Sequence, residues 1–124
     1  MLHDLAYIQL SVADLDRAIA FYRDTLGMRL LWREPEQGHA AMITSAGPLV
    51  LRADGGGNPA HDGPVLAFEV DDVAAAVEQY TARGVAFPSG IVRHGGRSTA
   101  RFHDLDGHAL ELNRTLPHGV VDRQ

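Results

Sequence analysis

The chain nearly repeats itself. Residues 7–28, YIQLSVADLDRAIAFYRDTLGM, run parallel to residues 65–85, VLAFEVDDVAAAVEQYTARGV. With Val12 set against Val70, Ile8 meets Leu66, Leu10 meets Phe68, Asp14 meets Asp72, Ala18 meets Ala76 and Tyr22 meets Tyr80. One deletion then brings Gly27 onto Gly84. Two copies of one supersecondary unit imply a duplicated fold, because neither copy alone can bury its apolar face. Such a fold is expected to enclose a pseudo-symmetric cleft, and function is to be sought there.

The local patterns give each copy its elements. Residues 7–12 alternate, with Ile8, Leu10 and Val12 apolar and Tyr7, Gln9 and Ser11 polar, which is the period of a half-buried strand. Asp14 caps a helix whose Leu15, Ala18, Ile19 and Tyr22 share one face, and Gly27 ends it. Strands are predicted over 28–33, 39–45 and 48–53, broken by PEQG and SAG turns. The second copy predicts a strand at 65–70 and a helix capped at Asp71 or Asp72 and ended by Gly84. Further strands follow near 86–92, 98–103 and 109–113. The fold class is therefore α+β, two β-α-β-β-β modules: residues 5–54 and 64–114, with a linker at 55–63 and a tail at 115–124. The triple glycine of the linker lacks the Gly-Lys-Ser/Thr of a phosphate loop and reads as a connector.

Composition removes several function classes. There is no cysteine, hence no disulfide, thiolate metal site or cysteine nucleophile, and no lysine for Schiff-base chemistry. Eleven basic residues, all arginine, stand against 16 acids for a net charge of −5, with no basic run, so nucleic acid is not an expected partner. The opening MLHDLAYIQL suggests neither a signal peptide nor a membrane span, and a cytoplasmic location is expected. No G-x-S-x-G elbow and no strand-to-helix G-x-G-x-x-G is present.

Three stretches carry a family likeness: VADLDRAIAFY with DTLGM, the central FEVDDV, and the closing DLDGHALELN. Together they resemble the vicinal oxygen chelate superfamily of glyoxalase I, extradiol dioxygenases, and fosfomycin- and bleomycin-resistance proteins. The resemblance spans roughly residues 5–114 and departs at Leu105, where the family often has proline. It implies paired β-α-β-β-β modules, a homodimer, and up to four metal ligands, one on the first and one on the last strand of each module. Those positions fall on Tyr7, Val50, Val65 and Glu111, where the family usually has His or Gln, Glu, His and Glu. Only Glu111 is a ligand of the expected type, so no metal or other cofactor is expected.

Of the seven histidines, His3, His61 and His118 read as solvated, His94 and His108 sit in turns, and no role is assigned to His39. His103 is the exception. If Phe102 faces the core, Arg101 and His103 face the cleft with Glu111, and pairing Phe102 with Leu110 sets Arg101 opposite Glu111. Glu111 then reads either as neutralised by Arg101 or as a substrate-handling group. Strand parity suggests a second pair, Arg52 with Glu69. The expected ligand-binding residues are Tyr7, Gln9, Trp32, Arg52, Arg101, His103 and Glu111. The leading expectation is a metal-independent protein of the bleomycin-resistance type that sequesters a natural product or metabolite. The alternative is a superfamily enzyme (lyase, isomerase, cyclase or dioxygenase) with Glu111 or His103 as base, or Glu111 as metal ligand.

Overall fold

The computed structural model describes residues 2, 4–54 and 64–115. The linker expected at 55–63, the tail beyond 115, and His3, His61 and His118 lie outside the described residues. The chain divides into two compact units: residues 1–59 together with Asp104–Gly107, and residues 60–103 together with 108–124.

In the first unit, β1 (Ile8–Val12) leads into α1 (Leu15–Ala20), then β2 (Leu30–Glu34), β3 (His39–Thr44) and β4 (Gly47–Ala53). The sheet order is β1-β4-β3-β2, with β1 parallel to β4 and the other pairs antiparallel. Asp14 caps α1 by accepting from the Arg17 amide at 3.0 Å. The helix then widens into a π turn over Phe21–Thr25, closed by the Leu26 amide on the Phe21 carbonyl at 3.0 Å. Gly27, at φ +84°, ends it as expected. Ala18, Ile19, Phe21 and Tyr22 are buried with Leu10, Val12, Ala40, Met42, Leu49 and Leu51, which form one face of the sheet by alternation. The predicted apolar stripe of the helix and the alternation of the first strand thus meet in one core.

The second unit repeats the plan with β5 (Val65–Glu69), α2 (Val73–Ala82), β6 (Ile91–His94), β7 (Arg97–His103) and β8 (Ala109–Thr115), ordered β5-β8-β7-β6. Asp72, not Asp71, is the cap of α2, accepting from the Ala75 amide at 3.0 Å. Val73, Ala76, Ala100, Phe102, Leu110 and Leu112 form the core. The strand expected near 86–92 begins only at Ile91. Pro88 has no N–H to give a ladder, and a turn carrying the Gly90 amide onto the Phe87 carbonyl at 3.0 Å precedes the strand. Phe87 still packs inward, its ring 5.3 Å from that of Phe102.

The Asp104–Gly107 turn joins β7 to β8 in chain order but packs with the first unit. The Asp104 carboxylate accepts from the Tyr22 hydroxyl at 2.6 Å and from the Asp106 amide at 2.9 Å. The Asp106 carboxylate accepts from the Ala13 amide at 2.8 Å. Burial, aided by the Asp104 charge, pushes the Tyr22 phenol far above the ordinary tyrosine range.

Candidate functional site

Each sheet has one face against its helix and one face turned away from it. On the second unit the away face is set by the β7–β8 register: Arg101 lies opposite Glu111, Phe102 opposite Leu110 and His103 opposite Ala109. This is the predicted pairing. Glu111 is buried, with only 7% of its surface exposed, at the centre of its strand between Leu110 and Leu112. A carboxylate so placed needs partners. Arg101 supplies them from its Nε at 3.3 Å and its terminal nitrogen at 3.0 Å, both to Glu111 Oε1. Arg97, on the same face two alternations back along β7, brings a second guanidinium to 3.6 Å from Oε2, longer than a hydrogen bond. His103 is exposed on this face beyond Arg101.

Glu69 also lies on this face, and its carboxylate accepts from Asn113 Nδ2 at 2.7 Å, with Arg114 at 3.8 Å. Within its own unit Glu69 thus takes its partners from β8. Tyr80 and Arg83 stack on the helix side, with the guanidinium 5.6 Å from the ring centre.

The away face of the first unit holds Gln9, Arg52 and Trp32. Gln9 lies opposite Val50, and Arg52 opposite both Ser11 and His39. An irregularity between Leu30 and Trp32 sets Trp32 opposite Ala41. Tyr7 precedes β1 and is 54% exposed. His39, for which the sequence suggested no role, joins this group. Its Nε2 is 2.7 Å from Glu34 Oε1, and its ring meets the Trp32 ring edge-on at 5.0 Å between centroids. The signal was there: Glu34 and His39 flank the PEQG turn at hairpin spacing. Arg97 was equally legible, since Arg97, Thr99 and Arg101 alternate onto one face.

A family model described as the Glyoxalase/Bleomycin resistance protein/Dioxygenase superfamily matches residues 4–112. The chain belongs to this superfamily. Among curated relatives, the lactoylglutathione lyase of Haemophilus influenzae is 33% identical over 131 residues, covering 94% of this chain and 97% of that protein. That of Salmonella typhimurium is 32% identical, covering 87% of this chain and 90% of its own length. Of solved structures, a glyoxalase/bleomycin resistance protein/dioxygenase from Nocardioides superposes with a TM-score of 0.79 at 22% identity, over 96% of this chain and 87% of that one. The fosfomycin resistance protein FosX of Listeria monocytogenes, solved with Mn(II) and a sulfate ion, gives 0.78 at 21% identity, over 94% of each chain. These structural likenesses establish the superfamily's fold, two β-α-β-β-β modules, for this chain.

The comparisons correct one expectation. The absence of a cofactor was inferred from Tyr7, Val50 and Val65, yet a protein of this fold is solved with Mn(II), and the curated relatives are lactoylglutathione lyases. Counting donors at four assigned positions tests one ligand set and not metal use as such, so the expectation of a cofactor-free protein is withdrawn. The donors at those positions do not themselves fit a divalent ion: valine offers no donor atom, and Glu111 is already held by Arg101. Among the described residues no three His, Asp or Glu side chains converge in a way that could hold a metal ion.

Proposed function

We propose that this chain is an enzyme of its superfamily, a lyase or isomerase of the glyoxalase class, with Glu111 as the group that moves a proton on a small carbonyl substrate. The observation that carries this reading is the near full-length likeness to lactoylglutathione lyases, at about a third identity. It favours turnover over the sequestration expected first. On an α-hydroxy carbonyl substrate such as a hemithioacetal, Glu111 takes the proton from the hydroxyl-bearing carbon to give an enediol and returns it to the former carbonyl carbon. The hydroxyl proton passes from the first oxygen to the second, so that the carbonyl and hydroxyl exchange places. The net change is a shift of hydrogen with no oxidant or reductant consumed. Arg101 holds Oε1, which leaves Oε2 as the oxygen that receives the proton. Arg101 and His103 are proposed to orient the substrate on the second unit. Tyr7, Gln9, Trp32 and Arg52 are proposed ligand contacts on the first.

A second reading, a binding protein that returns its ligand unchanged, is supported by Val50 and by the prior engagement of Glu111 with arginine. The two readings part on product. We expect the purified protein, assayed both after chelation and with Mn(II) added, to convert the methylglyoxal–glutathione hemithioacetal to S-lactoylglutathione, followed by thioester absorbance. Saturable binding of the hemithioacetal with no thioester under either condition would favour the binding protein. We also infer a homodimer, because β1 and β2 edge one sheet and β5 and β6 the other, each with a side left unpaired in its own sheet.

A further inference from the structure

The β6–β7 hairpin builds a small cavity beside the Glu111 carboxylate's second arginine, Arg97. His94 lies opposite Arg97 as the last pair before the Gly95–Gly96 turn, and Val92 lies opposite Thr99 two residues back. Alternation puts these four side chains on one face, and they line a cavity of about 190 Å³. Pockets that take a whole drug-sized ligand run to roughly 300–1,000 Å³, so this one suits a single substituent. Its chemistry is one-sided. Arg97 carries five N–H donors and no acceptor, Thr99 adds a hydroxyl, His94 adds an imidazole, and Val92 forms an apolar wall.

Arg97 is the loosely held guanidinium of this face. Arg101 holds Glu111 at hydrogen-bond distance. Arg97, half-exposed, has among the described residues only the 3.6 Å approach to Glu111 Oε2, longer than a hydrogen bond. Its guanidinium lines the cavity with its donors not taken up by that carboxylate. A planar guanidinium fork matches a carboxylate or phosphate in two-point hydrogen bonding.

We propose that the cavity lined by Val92, His94, Arg97 and Thr99 is an oxyanion subsite that binds a carboxylate or phosphate group of the substrate, with Arg97 as its anchor. Because Arg97 spans the distance from the cavity to Glu111, an anion held there places the remainder of the molecule beside that carboxylate. The inference rests on the reading of Glu111 as the centre of the site. It narrows the substrate to a small compound carrying an anionic group, and it makes Arg97 a specificity residue.

The test compares three probes of like size, mandelate, phenyl phosphate and the neutral mandelamide, by calorimetric titration of the full chain. At least one anion is expected to bind about ten- to a hundred-fold more tightly than mandelamide, the worth of a charge-assisted hydrogen bond. Which anion leads tells carboxylate from phosphate. Arg97→Met is expected to abolish that preference and Arg97→Lys to keep part of it. Arg93→Met, on the opposite face of the same hairpin, is expected to leave it intact. Equal binding of all three probes, no binding of any, or an equal loss in Arg93→Met and Arg97→Met would overturn the proposal. Its fate is separable from that of the enzyme reading. An anion preference lost in Arg97→Met with no thioester formed would sustain the subsite and remove the enzyme, and turnover without an anion preference would do the reverse.

Discussion

At the scale of single residues, the parity of β7 and β8 did most to make the site legible. From the sequence, Arg101 falls opposite Glu111 once Phe102 is placed in the core, and that contact is present at 3.0 Å. What parity could not give is reach. Arg97 approaches the same carboxylate from four residues back along its strand, and Glu69 finds Asn113 and Arg114 beside it on β8. Long side chains choose among several neighbours, and a period of two does not decide among them. Tyr22 shows the same limit, since its place on a helix face was readable and its partner Asp104, far along the chain, was not. That bond yields a prediction. Tyr22→Phe leaves a buried carboxylate short of a donor, and chemical denaturation should show a loss of about 1–3 kcal/mol. The Tyr22 phenol is raised in the folded protein, so its contribution is fully present below the ordinary tyrosine value of about 10 and is lost as pH climbs beyond it. Stability of the parent protein should therefore fall more steeply above that pH than stability of Tyr22→Phe, and equal slopes in the two proteins would remove the pH argument.

At the scale of elements, capping and stop signals held up well. Asp14 and Asp72 each accept from the amide three residues on, and Gly27 and Gly84 both take positive φ beyond their helices. Asp72→Ala should cost about 0.5–2 kcal/mol by thermal or urea denaturation, and Asp72→Asn should recover most of it. Two element-level expectations missed for backbone reasons. The π turn at Phe21–Thr25 has no composition signature, because it differs from an α-helix only in which carbonyl each amide reaches. The sixth strand starts late because Pro88 and the Gly90 turn outweigh the apolar residues around them. Neither miss moves the away face of β7 and β8, which is why the site could be read while one strand boundary was not.

At the scale of the whole molecule, the repeat carried the fold from sequence to architecture, with two four-stranded sheets in matching order. It said less about chemistry, because the scaffold is shared while the decisive side chains differ. Val50 and Glu111 show this: each is buried at the middle of the last strand of its unit, one inert and one ionisable. The homodimer inferred from the sheet edges should appear in sedimentation as twice the 13.4 kDa chain, and a species of single-chain mass at high micromolar concentration would contradict it. The central claim is that Glu111 moves a proton, and a kinetic comparison of the parent protein with Glu111→Gln tests it most directly. Glutamine keeps the shape and a hydrogen-bonding end but cannot accept the proton. With Mn(II) supplied to both proteins and equal thermal melts as a check on folding, thioester formation should drop by a factor of about 10² or more. Hemithioacetal affinity should stay within roughly tenfold. Turnover that survives the substitution, or ligand recovered unchanged from both proteins, would contradict the claim.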